Sequence, residues 1–163
     1  MEWIRQIGRA VLVILLQVLL FNHLQIVGWG FPMVYILILM NLPVQVPRWV
    51  EMLIGAVVGL VFDLWSSSLG VHIAACVAFS FLRPLLLNNV IQDLERVKGE
   101  ICSACIGRIE YTKCFVILTL VHHLIVFALE AWSWQNWWMV IVQTLISSGL
   151  TILIVLGYEI FRR

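Results

Sequence analysis

Asp63 shares one helical face with Gly55 and Gly59, because the three are spaced four residues apart. A carboxylate in that position, followed by Ser66-Ser67-Ser68 and then Leu69-Gly70-Val71-His72, can serve a reaction or a structure. General acid–base catalysis needs a second positioned group, and no second carboxylate lies near in the apolar sequence. The expectation is therefore structural. Asp63 accepts hydrogen bonds from the serine turn or from the free amides that open the next helix, with a place in a ligand or partner pocket as the alternative. His23, His72 and the pair His122-His123 are candidates for ligand or proton chemistry. Consecutive histidines point about 100° apart on a helix, so one of His122 and His123 at most faces a given partner squarely. Glu130 lies eight residues further on, roughly 12 Å along the axis. Hydrogen-bonding histidines of structural character are the expectation. Cys102-x-x-Cys105 has half of a zinc motif, but the nearest further thiol is Cys114 and no histidine lies in the segment. Nothing around it resembles a thioredoxin-like unit, and the pair is expected to be reduced and incidental. Arg83-Pro84 reads as a snorkelling anchor beside a kink, with a buried ion pair as the alternative. No Walker loop, dinucleotide fingerprint, nucleophile elbow or zincin motif occurs. No catalytic, cofactor or metal site is predicted, and ten dispersed basic residues leave no nucleic-acid footprint.

The elements that hold these residues are apolar to a degree that decides the class. The 163 residues are 63% hydrophobic and 12% charged, with a mean hydropathy of +1.03. A water-soluble domain carries about 25% charged residues, and half that charge does not cover its surface. Disorder is excluded by the apolar content. One helical crossing takes about 20 residues, and long apolar windows fall at 7–27, 33–46, 49–65, 71–87, 113–131 and 137–158. The prediction is an all-α integral membrane protein with six transmembrane helices in a single domain. Continuously apolar runs argue against β-barrel strands. The second span is the weakest, since Pro43 and Pro47 should kink or end it. Residues 88–112 form a polar cytoplasmic segment, and Ile91, Leu94, Val97 and Ile101 recur there at the spacing of an amphipathic interfacial helix. The first run begins like a signal peptide but is long and contains Gln17, Asn22 and His23, with no small-x-small site before Gly28; it is read as a retained helix.

Charge placement orients these spans. Arg5 and Arg9 precede the first, Arg48 separates the second and third, and Arg162 and Arg163 follow the sixth. Arg83, Arg96, Lys98, Arg108 and Lys113 lie at or between the facing ends of the fourth and fifth. The alternate connections hold no Lys or Arg, so both termini are predicted to be cytoplasmic. Trp29, Trp65, Trp132, Trp134, Trp137 and Trp138 gather on the opposite side as an aromatic belt.

The run Gly55-x-x-x-Gly59-x-x-x-Asp63, followed by the serine turn and Leu69-Gly70-x-His72, resembles the signature of the rod shape-determining protein MreD family. The six-span layout is similar along the chain, while the motif covers Gly55 to His72. The prolines of the second span depart from the smoother helix expected of that family. The resemblance implies a non-enzymatic scaffold of the cell-elongation machinery in the bacterial inner membrane, acting on cell shape and peptidoglycan synthesis. It also implies a bitopic MreC-like partner and, through it, MreB-like filaments, the glycosyltransferase RodA and a class B penicillin-binding protein. The implied fold is similar to the substrate-binding components of vitamin transporters, which supplies an alternative function. By the same resemblance Gly55, Gly59, Asp63 and Gly70 are the motif positions, for helix packing or partner binding; His23, His72, Arg83 and His122 are secondary polar positions.

Overall fold

The computed structural model describes residues 2–20, 30–92, 94, 97, 99–131 and 137–161, with side chains from residue 6 onward. Its helices are α1 (Glu2–Leu19), α2 (Ile36–Met40), α3 (Arg48–Ser66), α4 (Val71–Val90), α5 (Ser103–Ile106), α6 (Arg108–Ala131) and α7 (Trp137–Phe161). An isolated antiparallel bridge joins Pro43 and Glu100. Four helices, α3, α4, α6 and α7, are long and apolar enough to cross a membrane, and α1 adds the shorter apolar stretch Gln6–Leu19. The chain is an all-helical membrane protein. Large apolar side chains such as Leu64 (75% exposed) and Leu153 (73%) point outward from these helices, as a lipid-facing surface requires.

The four long helices run up and down, α3 against α4, α4 against α6 and α6 against α7. The ends bearing Arg48, Arg108 and Phe161 form a basic end; Ser66, Val71 and Trp137 mark a tryptophan end. Three of the expected spans, 49–65, 71–87 and 137–158, coincide with α3, α4 and α7 to within a few residues. The fifth starts earlier than expected, at Arg108. Of the first, α1 is described to Leu19, and 21–27 lie outside the described residues.

Two expectations need correction. The second span, expected at 33–46, contains only the five-residue α2. Around it the chain is extended or turning: residues 30–35 lead in and 41–47 lead out. The prolines explain the downstream break, because Pro43 has no amide to continue the helix and restricts the residue before it. The upstream break has a different cause, given below. The second correction concerns 88–112. No amphipathic helix lies there among the described residues; α4 continues to Val90, α5 has four residues and α6 begins at Arg108. Gly99 (φ 84°) and Gly107 (φ 95°) take left-sided backbone conformations that interrupt a helix. Ile91, Leu94 and Ile101 are buried in the core instead of lying on a surface.

Candidate functional site

The seam between α3 and α4 is built on glycine. A Cβ at Gly59 would stand 2.5 Å from Ile73 Cα and 2.6 Å from the His72 carbonyl oxygen. One at Gly55 would stand 2.5 Å from Ser80 Oγ and 2.8 Å from the Cys76 carbonyl oxygen. The two backbones therefore touch, which is how helices associate where lipid offers no hydrophobic drive. One turn on, Asp63 closes the seam at the tryptophan end. Its Oδ1 accepts from the His72 amide (2.9 Å) and from Ser68 Oγ (2.5 Å), and its Oδ2 accepts from the Ile73 amide (3.0 Å). These amides open α4 and have no helical acceptor of their own. Asp63 caps a helix it does not belong to. The turn between them needs two left-handed residues, Ser67 (φ 56°) and Gly70 (φ 83°). A Cβ at Gly70 would meet no neighbouring atom, so its glycine character serves the backbone angle alone.

The broken second span lies at the centre of the molecule. Met33, Tyr35, Ile36, Leu39 and Met40 are buried, although residues 30–35 are not helical. Backbone groups left unbonded in an apolar interior cost several kcal/mol each, so other donors and acceptors must take them. Gln17 of α1 does this from one side, its amide donating to the Pro32 carbonyl (2.8 Å) while its oxygen accepts from the Val34 amide (2.6 Å). One side chain thus imitates a neighbouring β-strand. From the other side α7 supplies two hydroxyls: Ser147 Oγ accepts from the Phe31 amide (3.2 Å), and Thr151 Oγ1 accepts from the Met33 amide (2.9 Å). A Cβ at Gly30 would fall 2.6 Å from Ser147 Oγ, so a larger residue there would displace the hydroxyl that takes the Phe31 amide.

Arg83 secures the downstream end. Its Nε donates to the Met40 carbonyl (3.0 Å), one Nη to the Leu42 carbonyl and the other to Glu51 Oε1 (2.6 Å). Both charged side chains are buried, at 1% and 2% exposure. The expected snorkelling anchor is therefore corrected to a buried ion pair. A guanidinium can serve several acceptors at once, here the carbonyl that ends α2, the Leu42 carbonyl just beyond it and a carboxylate oxygen. Pro84, beside it, lies inside α4. Tyr111 Oη adds a bond to Asn41 Oδ1 (3.2 Å).

Between these ends sits a row of aromatic and imidazole groups. Tyr35 Oη lies 2.8 Å from His72 Nδ1 and 3.2 Å from His122 Nε2, with its ring stacked on Phe62. Among the described residues His122 Nδ1 has no partner. Hydrogen-bond accounting then assigns the protons. Tyr35 donates to His72 Nδ1, and His122 Nε2–H donates to Tyr35 oxygen, which leaves only a lone pair unpartnered at His122 Nδ1. His123 points elsewhere. Its Nδ1 donates to the Thr119 carbonyl (2.8 Å), and its Nε2 faces Thr151 Oγ1 (3.3 Å). The two adjacent histidines serve different partners.

Asp63 and His72 are thus neighbours, and His72 and His122 meet through Tyr35; Arg83 belongs to a separate cluster toward the basic end, and Glu130 is exposed. His23 lies outside the described residues. Among the described residues no three His, Cys, Asp or Glu side chains converge as a metal site. A cavity of about 210 Å³ opens at the basic end, between Ile7 and Val13 of α1, Leu37 and Asn41 around α2, and Ile54 of α3. The transporter alternative expects a pocket at the opposite end, lined by His23, Asp63, His72 and Glu130. Cys102 and Cys105 form a disulfide, which corrects the expectation of reduced, incidental thiols; Cys76 and Cys114 are free and buried. Sequence reading missed Gln17, Tyr35, Glu51, Ser147 and Thr151 as organising residues. A polar side chain in an apolar run, as at Gln17, was the available signal. Comparison with family models, curated proteins and solved structures finds no match to this chain.

Proposed function

We propose that this chain is a membrane scaffold of the MreD type, with six spans, both termini in the cytoplasm, and a place in the bacterial inner membrane. On this reading the first crossing begins in α1 and the broken segment around α2 makes the second. The observation that carries the proposal is the unit made by Gly55, Gly59, Asp63 and Gly70. These residues, together with the His72 amide, build one close-packed seam and its turn. Their chemistry is spent on fixing backbone, which suits a surface held for a partner better than a centre that turns over a substrate. The partner would be a single-span, MreC-like protein, linking the chain indirectly to MreB-like filaments, RodA and a class B penicillin-binding protein.

Affinity purification from native membranes tests this reading. The expected result is co-purification of a single-span protein with an extracytoplasmic domain, and rounding of the cells on depletion. Asp63→Asn should weaken that complex, because the Ile73 amide loses its acceptor. Recovery of an unchanged complex would remove Asp63 from the partner surface. The second reading, a small-molecule-binding component of a transporter, expects its pocket at the tryptophan end, whereas the cavity near α1 opens at the basic end. A vitamin retained through purification, with no partner protein, would establish that reading and end the first.

A further inference from the structure

Residues 97 and 99–106 lie across the basic end as a strap tied to three parts of the chain. Gln45 Nε2 donates to the Val97 carbonyl (2.8 Å) and Gln45 Oε1 accepts from the Gly99 amide (3.3 Å). Glu100 pairs with Arg9 of α1 at 2.6 Å and bridges to Pro43. Ser103 donates twice to Glu159 Oε2 of α7, from its amide (3.2 Å) and its hydroxyl (3.0 Å). The strap therefore joins the first helix, the exit from the broken span and the last helix. The positive-φ glycines Gly99 and Gly107 bracket its final part.

The Cys102–Cys105 disulfide encloses Ser103, the residue that grips α7. A bond between cysteines three residues apart closes so short a loop that it restricts the unfolded chain little, and global stability is a poor reason for it. Cys105 is exposed and Cys102 is half-buried. The exposed Cys105 is the more open to attack, and the sulfur of Cys102 then leaves because it is the other end of the bond. On the proposed topology the basic end faces the cytoplasm, where persistent disulfides are rare and those that form are transient or sensing. We propose that Cys102 and Cys105 are a reversible thiol–disulfide exchange site, reduced by a soluble cytoplasmic dithiol and acting on the grip of the strap on α7. This inference rests on the topology, not on the scaffold role.

The exchange balances as a two-electron transfer. One thiolate of the reductant attacks Cys105 Sγ, the S–S bond breaks, and its electron pair leaves on Cys102 Sγ, which takes a proton. The second thiolate of the reductant then attacks its own sulfur in the mixed disulfide and releases Cys105, which is protonated in turn. The reductant leaves as a disulfide, and the chain gains two thiols.

Acid-quenched whole cells, denatured and treated with a maleimide-polyethylene glycol tag, test the proposal on the full chain. With four cysteines in the sequence, the reduced chain takes four tags and the bonded chain two. The expected result is a four-tag species in growing cells, conversion to two tags on brief exposure to the permeant oxidant diamide, and return after its removal. Two tags throughout, or four tags throughout, would overturn the proposal. Ser133→Cys, in a chain otherwise free of cysteine and probed with an impermeant maleimide on intact cells, separates the causes. Labelling at that position together with an immovable disulfide leaves the topology standing and ends the exchange inference alone. A second measurement reads the strap. Dithiothreitol should raise the rate of limited proteolysis within residues 91–108 several-fold in the native chain, and the doubly substituted C102S/C105S chain should show the raised rate with or without it. Equal rates in all cases would overturn the link to the strap.

Discussion

At the seam between α3 and α4, two complete helices satisfy their own backbones and glycine lets them touch. Around residues 30–47 the chain gives up most of its helix, and Gln17, Arg83, Ser147 and Thr151, from α1, α4 and α7, take over its hydrogen bonds. The first arrangement needs small residues at a fixed spacing. The second needs particular polar side chains brought from distant parts of the chain, one of them charged. The seam is a packing problem and tolerates shifts of a helix; the broken span is a polar network and does not tolerate loss of a member. The largest effects of substitution should therefore fall around the broken span, at the charge, and the seam should respond in proportion to added volume.

Arg83→Ala carries the largest expected effect. It strands the Glu51 carboxylate, which is 2% exposed, and removes the donors to Met40 and Leu42. Removing one partner of a buried pair costs about 3–5 kcal/mol, so the variant should lose most of its cooperative thermal unfolding in detergent. The paired change Arg83→Met with Glu51→Met removes both charges and should recover much of that loss. A double variant no more stable than Arg83→Ala would show that the carbonyl bonds, not the ion pair, dominate.

Next comes Gly59→Ala, whose new methyl would meet Ile73 Cα and the His72 carbonyl, both backbone. Overpacking of this kind costs about 1–3 kcal/mol. Gly55→Ala meets Ser80 Oγ, a side chain that can rotate, as well as the Cys76 carbonyl, and its loss should be the smaller of the two. Thermal midpoints of the two variants in the same detergent give the order directly. The reverse order would mean that the helices separate freely near Ile73 and are held near Cys76.

The same contrast separates what the amino-acid sequence makes legible from what it hides. Gly55, Gly59 and Asp63 declare themselves because a spacing of four puts residues on one helical face whatever the rest of the chain does. The serine turn is legible for a similar reason, since turn chemistry is local. Arg83 and Glu51 are 32 residues apart, and no period links them; an arginine near a helix end reads as a snorkelling anchor until its acceptors are known. Pro43 and Pro47 announce the downstream break of the second span. The upstream break is silent, because Ser147 and Thr151 look like any small polar residues in an apolar helix, able to bond within it. Thr151 does so as well, donating to the Ser147 carbonyl at 2.8 Å. The Cys102–Cys105 pairing is unreadable for another reason: spacing permits either state, and the expected cytoplasmic side argues for the reduced one.

Thr151 offers the finest test of the difference between the two regions. Its hydroxyl oxygen accepts from the Met33 amide and its proton is shared between Ser147 and His123. Thr151→Val keeps the shape and removes all of this, leaving the Met33 amide buried without an acceptor, at a cost of about 1–3 kcal/mol. Thr151→Ser keeps the oxygen and removes a methyl, and should cost about 1 kcal/mol or less. The ordering matters more than either value. At the glycine seam volume decides, so there the added methyl should hurt; at Thr151 the oxygen should decide, so the valine variant should unfold first although it fills the site. Hydrogen exchange at the Met33 amide supplies the local reading, slow in the native and serine chains and faster in the valine chain. A valine chain as stable and as protected as the native one would mean that the extended segment is held by packing after all, and the two regions would then obey one rule.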